Sequence, residues 1–211
     1  MLQLQNVQKS YRNFLALDIP SLTISPGLVW LQGENGSGKT TFLKMVAGLV
    51  PYQGNIVLDT QYSLNKQRTQ FLSLVNYAEA EPLYPSFLTA MDLLKLYCYS
   101  KKGSLQHTME MLKQLHLTED VINKPVATFS SGMIKKLSLA LAFVGNPKLI
   151  LLDEPFITID VHAVDVLCNI IQTRCKAGVS FIITSHQSVS TAQLNFAETF
   201  SATNRTILKI S

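Results

Sequence analysis

Residues 33–41 form a motif that could bind a polyphosphate. The segment reads Gly-Glu-Asn-Gly-Ser-Gly-Lys-Thr-Thr and fits the pattern Gly-x4-Gly-Lys-[Ser/Thr]. The glycines of such a loop let backbone N–H groups approach phosphate oxygens, and the lysine adds positive charge beside the β- and γ-phosphates. A hydroxyl at position 40 suits the ligand shell of Mg²⁺. We expect ligand contacts in this phosphate loop from Gly33, Asn35, Gly36, Ser37, Gly38, Lys39, Thr40 and Thr41, with Thr40 also a metal ligand.

A second set of candidate residues follows two apolar runs. Asp153 and Glu154 come directly after residues 149–152, and His186 comes shortly after residues 180–184. Continuous apolar runs are typical of strands that are buried on both faces of a parallel sheet. Ligands of such sheets bind beyond the carboxyl ends of the strands, so these residues and the phosphate loop are predicted to converge.

The predicted roles follow from the chemistry of these side chains. Asp153 would hold Mg²⁺ through water, Glu154 would act as the general base for an attacking water, and His186 would contact the γ-phosphate. An isolated Asp-Glu pair is usually a solvated loop, and an isolated histidine is usually structural. Their positions after buried strands favour the catalytic interpretation, with Lys39 as the third catalytic residue.

The elements that must position these groups are indicated by periodicity. Alternating residues before Lys9 and from Phe14 to Ile24 predict an antiparallel ribbon, with Tyr11 at its turn. Tyr11 either packs against the protein or stacks on an adenine ring. An apolar strand over residues 28–32 leads into the phosphate loop, and a helix ending near Gly48 follows it. A solvated glycine-rich loop would need neither flanking element.

Further elements are predicted along the chain. Strands are expected over residues 55–59 and 72–77, helices over 89–117 with a break at 101–104, a helix capped by Ser130 or Ser131, a helix over 161–176, and a hairpin over 196–210 with its turn at 204–205. The predicted fold class is α/β: a P-loop NTPase core with a mostly parallel sheet, an N-terminal antiparallel β subdomain and an inserted small helical subdomain. The 211 residues would form one domain, with about 1–84 and 129–211 as its core and about 85–128 as the helical lobe.

Composition restricts the possible partners. Only 15% of residues are charged, which favours an apolar surface covered by a partner, and the net charge of +4 is spread without a basic tract, so no nucleic acid is expected. Cys98, Cys168 and Cys175 are an odd number without metal-ligand spacing, which is typical of reduced thiols. We find no signal-peptide pattern at the N-terminus and expect a cytoplasmic protein.

Taken together, the motifs resemble those of the ATP-binding-cassette (ABC) ATPases over essentially the whole chain. Residues 33–41 resemble the family's Walker A motif, and residues 149–154 resemble its Walker B strand with the catalytic glutamate. Residues 129–133, Phe-Ser-Ser-Gly-Met followed by two lysines, resemble the signature Leu-Ser-Gly-Gly-Gln. Tyr11 matches the adenine-stacking aromatic, Asp160 the D-loop aspartate and His186 the switch histidine.

The resemblance implies ligands and partners. ATP and Mg²⁺ would be held between the phosphate loop of one cassette and Ser130 and Gly132 of a second, which is an identical copy or a close paralogue. Closure of this dimer would power substrate movement through a separate membrane-spanning transporter subunit, which the helical lobe would grip. The chain would therefore be peripheral on the inner face of the membrane.

Three residues depart from the family pattern. Ser131 replaces one signature glycine, Met133 replaces the glutamine, and Ala80 stands where the Q-loop glutamine is expected. Glu79 or Glu81 could supply an oxygen ligand instead, or both could be solvated acids.

The sequence leaves alternatives to this function. A soluble ABC-type ATPase in assembly or repair is disfavoured by the lack of a second cassette and of a coiled-coil insertion. A weakly hydrolysing nucleotide-binding regulator is suggested by Ala80 and Ser131. A GTPase is disfavoured because residues 123–126 lack the guanine-reading aspartate, and a kinase because Glu154 and His186 suit the activation of water.

Overall fold

The computed structural model describes residues 1–185 and 194–211, which form a two-sheet α/β protein. The strands are β1 (Leu2–Tyr11), β2 (Phe14–Ile24), β3 (Leu28–Gln32), β4 (Gln53–Leu58), β5 (Tyr62–Ser63), β6 (Val75–Ala78), β7 (Leu149–Leu152), β8 (Ser180–Thr184), β9 (Glu198–Thr203) and β10 (Thr206–Lys209). The helices are α1 (Lys39–Val46), α2 (Arg68–Leu74), α3 (Ala90–Lys101), α4 (Leu105–Gln114), α5 (Glu119–Ile122), α6 (Ser131–Ala142) and α7 (Val161–Lys176), with a 3-10 turn at Val126–Thr128.

The larger sheet brings the candidate residues to one edge. Its strand order is β10-β9-β3-β8-β7-β6, and every pair except β10 and β9 is parallel. The carboxyl ends of β3, β6, β7 and β8 therefore lie at the same edge, where the phosphate loop and Asp153 begin. The smaller sheet, β2-β1-β4-β5, is antiparallel. Both sheets agree with the predicted fold class.

All four residues of β7 are buried because both faces of the larger sheet are covered. Leu149 and Leu151 belong to the core shared with β1, β4 and α1, whereas Ile150 and Leu152 belong to the core shared with α3, α4, α6 and α7. This two-sided burial explains the continuous apolar run in the sequence. The helices of the predicted lobe share this second core with α6, and the division of the chain into a core and a lobe stays a prediction.

Most predicted boundaries agree with the structure, and one strand does not. The strand predicted over residues 72–77 begins only at Val75, because residues 68–74 form α2. Phe71 of α2 is buried in the core, with Leu72 and Leu74 partly buried against it. Such a short apolar run fits either a helix or a strand, so its periodicity did not separate the two.

The predicted hairpin and the predicted helix cap are confirmed. Asn204 and Arg205 both have positive φ, 46° and 64°, which is the two-residue turn that joins β9 to β10. Ser130 caps α6, since its hydroxyl accepts a hydrogen bond from the Met133 N–H at 3.3 Å. In the part of the chain that the structure describes, no helix is both long and apolar enough to cross a membrane.

Candidate active site

The phosphate loop joins the end of β3 to the first turn of α1 and requires glycine at two positions. Gly33 and Gly38 have φ of 150° and 104°. A Cβ on Gly33 would lie 2.6 Å from the Ala202 carbonyl oxygen, and one on Gly38 would lie 2.8 Å from Leu17 Cδ2. At these two positions no side chain covers the loop backbone. The N–H groups and the helix dipole at the N-terminus of α1 therefore favour binding of an anion there.

Lys39 is the first residue of α1 and its ammonium lies inside the loop. The Nζ atom donates to the carbonyl oxygens of Gly33 at 2.7 Å and Glu34 at 3.0 Å. Burial lowers the pKa of Lys39, while the negative charges of Glu154 and Asp153 oppose this shift. Lys39 is thus close enough to both carboxylates to share one electrostatic environment with them.

Asp153 is the first residue after β7 and is held by two neighbouring strands. Its carboxylate accepts a hydrogen bond from Thr184 Oγ1 at 2.7 Å and one from the Tyr77 hydroxyl at 3.3 Å. Burial raises the pKa of Tyr77, and the charge of Asp153 raises it further, so Tyr77 stays a donor. The carboxylate is oriented before any ligand binds.

Glu154 follows Asp153 in a backbone conformation that is uncommon for a glutamate. Its φ is 44°, and its N–H donates to Thr184 Oγ1 at 2.9 Å. The residue is 9% exposed. Positive φ at a non-glycine residue is often found at functional sites, where the surrounding structure holds it.

A cavity of about 500 Å³ brings most of the predicted residues together. This volume suits a nucleotide-sized ligand. The lining residues are Tyr11, Phe14, Ala16, Asn35, Gly36, Gly38, Lys39, Thr40, Thr41, Ala80, Glu81, Asp153, Glu154 and Ile157. Gly33 and Ser37 instead line an adjacent depression with Asn204.

One end of the cavity is aromatic. Tyr11 is 45% exposed, and the Lys9 ammonium lies 4.3 Å from its ring centroid. Phe14 pairs with Tyr11 across the β1–β2 turn, and the Arg205 guanidinium lies 5.5 Å from its ring centroid. Phe14 was missed in the sequence, because it reads as one more apolar residue of an alternating strand.

Besides Gly33 and Ser37, three predicted residues of the described chain lie outside the cavity lining. Ser130 is exposed at the start of α6, and Gly132 lies against the loop before α7, where an added Cβ would be 2.6 Å from the Thr158 carbonyl oxygen. Asp160 caps α7 by accepting from the Ala163 N–H at 3.0 Å and pairs with Lys136. The hydrogen bond from Lys136 lowers the pKa of Asp160 to about 2, with the Ala163 N–H as the next cause.

The loop after β6 separates its two acids, and one predicted residue is not placed. Glu81 lines the cavity beside Ala80, whereas the carboxylate of Glu79 lies 3.4 Å from the Lys44 ammonium. His186 lies outside the described residues.

The donor set fits a divalent cation bound together with phosphate. The Thr40 hydroxyl and the Asp153 carboxylate face the same cavity, and oxygen ligands of this kind suit Mg²⁺. Among residues 1–185 and 194–211, no cluster of three or more His, Cys, Asp or Glu side chains could hold a metal. Mg²⁺ commonly takes its remaining ligands from phosphate oxygens and water.

This fold and site define a P-loop nucleoside triphosphatase. The model of the family described as "ABC transporter" matches residues 17–157. The chain therefore belongs to the ABC transporter family, as one of its ATP-binding ATPases.

Individual relatives agree with this assignment. The chain is 31% identical over 188 residues to the lantibiotic transport ATP-binding protein SrtF of Streptococcus pyogenes, covering 88% of this chain and 80% of SrtF. A solved structure of an "ATP binding subunit of ABC transporter" superimposes with a TM-score of 0.88 at 22% identity, covering 100% of this chain and 90% of the other. A cassette described as the dimeric post-hydrolysis state of MJ0796 with ADP and Pi has a TM-score of 0.82 at 20% identity, covering 100% and 99%. The two structures show the fold, and the family and fold predicted from the sequence are confirmed.

Proposed function

We propose that this chain binds Mg-ATP in the cavity and hydrolyses it, in a dimer with a second cassette, to drive a separate membrane-spanning subunit. The observation that carries the proposal is the meeting of Lys39, Asp153 and Glu154 with exposed Tyr11 in one nucleotide-sized cavity. The relationship to SrtF, a protein named for lantibiotic transport, supports a role in transport.

Each side chain has a proposed part in binding. Tyr11 stacks on adenine, because the base needs only an exposed aromatic face. The backbone of the phosphate loop surrounds the phosphates, and the Lys39 ammonium exchanges its two carbonyl acceptors for phosphate oxygens. Thr40 directly and Asp153 through water hold Mg²⁺, which neutralises phosphate charge when it is bound.

Hydrolysis is proposed to depend on Glu154. Its buried position beside Asp153 places a carboxylate at the cavity wall, where it would orient a water and accept its proton. The predicted contact of His186 with the γ-phosphate stays a prediction.

The dimer is proposed from the residues that the cavity leaves out. Ser130 and Asp160 are exposed and Gly132 is half-buried, at the starts of α6 and α7. A second cassette could therefore reach Ser130 and Gly132, and its ATP would complete the predicted composite site. The dimeric form of a cassette with the same fold supports this arrangement.

The membrane subunit is proposed to dock in a groove of about 580 Å³ between α2, β6 and α3. Leu49, Leu72 and Tyr97 line this groove together with Lys101 and Glu79. Leu49 is 57% exposed, which suits an apolar contact. Docking there would keep the chain at the cytoplasmic face of the membrane.

The test compares Glu154→Gln with wild type. Loss of a general base lowers kcat by about 100-fold or more. The variant still binds ATP. It also still pairs in Mg-ATP, which light scattering measures. Glu119→Gln, at an exposed acid of α5, is the matched control and keeps full activity. A Glu154→Gln protein that hydrolyses ATP at the wild-type rate contradicts the catalytic assignment.

The membrane partner is tested by affinity purification of the Glu154→Gln protein from membranes in Mg-ATP. Retention of an integral membrane protein supports the transport role, and its repeated absence contradicts that role.

A further inference from the structure

Lys135 is a buried lysine of α6 that has no part in the scheme above. It is 1% exposed. Its Nζ atom donates to the carbonyl oxygens of Glu79 at 2.7 Å, Ala80 at 3.0 Å and Asp153 at 2.9 Å. An ammonium has three N–H donors, so this geometry uses all of them.

The three acceptors belong to two segments that both reach the cavity. Glu79 and Ala80 follow β6, and Asp153 follows β7. The sheet ladder between these strands extends only to the hydrogen bond from the Asp153 N–H to the Ala78 carbonyl, at 3.0 Å. Beyond that point the two segments share Lys135, which lies between them.

Burial of an ammonium is costly unless its donors are satisfied. Desolvation lowers the pKa of Lys135 to about 8, and the charges of Asp153, Glu154, Glu79 and Glu81 oppose the shift. The protein therefore keeps a desolvated ammonium, with all three donors satisfied, beneath its active site.

The next residue in the sequence shows that this is not a general use of lysine in α6. The Lys136 ammonium forms an ion pair with Asp160 at the start of α7. The two adjacent lysines thus contact different segments, and Lys135 alone of the pair reaches the cavity wall.

We propose that Lys135 is a positioning residue for ATP hydrolysis: it fixes the loop bearing Ala80 and Glu81 to the strand end bearing Asp153 and Glu154. It also joins both segments to α6, the helix that Ser130 caps. The proposal rests on the proposed function and identifies the residue that holds the cavity wall bearing Glu154. Because Ala80 has no amide to anchor this loop from the cavity side, the backbone carbonyls bound by Lys135 set its position.

The first test is kinetic and uses Lys135→Met, which keeps an unbranched side chain of similar length and removes all three N–H donors. A displacement of a catalytic group by about 1 Å lowers the rate by about 100-fold, so we expect kcat to fall by about that factor. The KM for ATP and the Kd for nucleotide stay within about threefold, because Tyr11 and the phosphate loop are unchanged. Lys135→Arg keeps donors at this position and restores most of kcat. Lys113→Met, at an exposed lysine of α4, is the control.

The second test is amide hydrogen exchange of the nucleotide-free protein. Release of the loop speeds exchange at residues 79–81 by about tenfold in Lys135→Met and leaves α1 unchanged. This measurement needs no turnover, so it separates failure of this proposal from failure of the proposed function.

Each result decides the question. If Lys135→Met does not fold, Lys135→Gln, which keeps one amide donor, is measured in the same two ways. Wild-type kcat in the folded variant, or unchanged exchange at residues 79–81, overturns the proposal. A loss of kcat that Lys135→Arg does not restore also overturns it.

Discussion

Thr184 holds Asp153 across the boundary between two adjacent parallel strands. Its hydroxyl donates to the Asp153 carboxylate at 2.7 Å and accepts from the N–H of the next residue, Glu154, at 2.9 Å. Thr184 is fully buried. One side chain at the end of β8 therefore orients both acidic residues that follow β7.

Replacement of this hydroxyl tests its importance. Thr184→Val keeps the shape and leaves a buried carboxylate and N–H without this partner, so the free energy of unfolding falls by about 1–3 kcal/mol. Urea unfolding measures the loss, and steady-state ATPase activity falls with it. Thr184→Ser keeps the hydroxyl and stays close to wild type in both measurements. Equal unfolding midpoints for the valine variant and wild type would sink this prediction.

Tyr11 is expected to contribute to binding of the base and not of the phosphates. Tyr11→Ala weakens ATP binding by about tenfold, since stacking of one base on an aromatic ring contributes about 1–3 kcal/mol. Its affinity for inorganic tripolyphosphate is unchanged, and Tyr11→Phe keeps the affinity for ATP. Competition against a fluorescent nucleotide measures all three. An alanine variant that binds ATP as tightly as wild type means that adenine lies elsewhere.

Glu81 and Glu79 are predicted to differ in their importance for catalysis. Glu81 lines the cavity, whereas Glu79 pairs with Lys44 and is 41% exposed at its side chain. If Glu81 supplies an oxygen to the metal shell, Glu81→Ala lowers activity by about tenfold and raises the Mg²⁺ concentration required. Glu79→Ala keeps the wild-type Mg²⁺ dependence. Mg²⁺ titrations of ATPase activity measure both, and equal titrations for the two variants would show that neither acid serves the metal.

Asp160 gives stability a defined dependence on pH. The hydrogen bond from Lys136, followed by that from the Ala163 N–H, lowers its folded pKa to about 2. A depressed pKa stabilises the fold above the unfolded pKa, about 3.9 for aspartate, and this stabilisation is lost as pH falls through the folded pKa. Wild type should therefore lose more stability than Asp160→Asn between about pH 4 and pH 2. Urea midpoints across this range measure the difference; Lys136→Met should flatten the profile as well, and parallel profiles for all three proteins would refute the assignment.

Gly132 and Ser131 are expected to differ in their tolerance of alanine. A Cβ at Gly132 would lie 2.6 Å from the Thr158 carbonyl oxygen, a backbone atom that must then move. Gly132→Ala is expected to lower the free energy of unfolding by about 1–3 kcal/mol and to weaken pairing in Mg-ATP. Ser131→Ala, at an exposed position, changes the free energy of unfolding by about 0.5 kcal/mol or less. Thermal unfolding and light scattering decide, and equal stability of the two variants would contradict the steric argument.

Local patterns in the sequence were sufficient for much of the fold. The bounds of α7 and β8, the cap at Ser130 and the hairpin turn at Asn204 and Arg205 all agree with the structure. These features depend on periodicity, capping and turn chemistry within a few residues of one another. The start of β6 was wrong because a short apolar run does not distinguish a helix from a strand. The roles of the site residues remain predictions.

The sequence by itself determined the phosphate loop, the buried strand before Asp153 and the family, because each is encoded in consecutive residues. Only the tertiary structure decided that Lys135 turns inward while Lys136 pairs with Asp160, and that Thr184 holds Asp153. The Lys135–Asp153, Lys136–Asp160 and Thr184–Asp153 contacts join residues that lie 18, 24 and 31 positions apart in the sequence. They depend on which strands and helices lie side by side, and sheet order is a property of the whole packed chain.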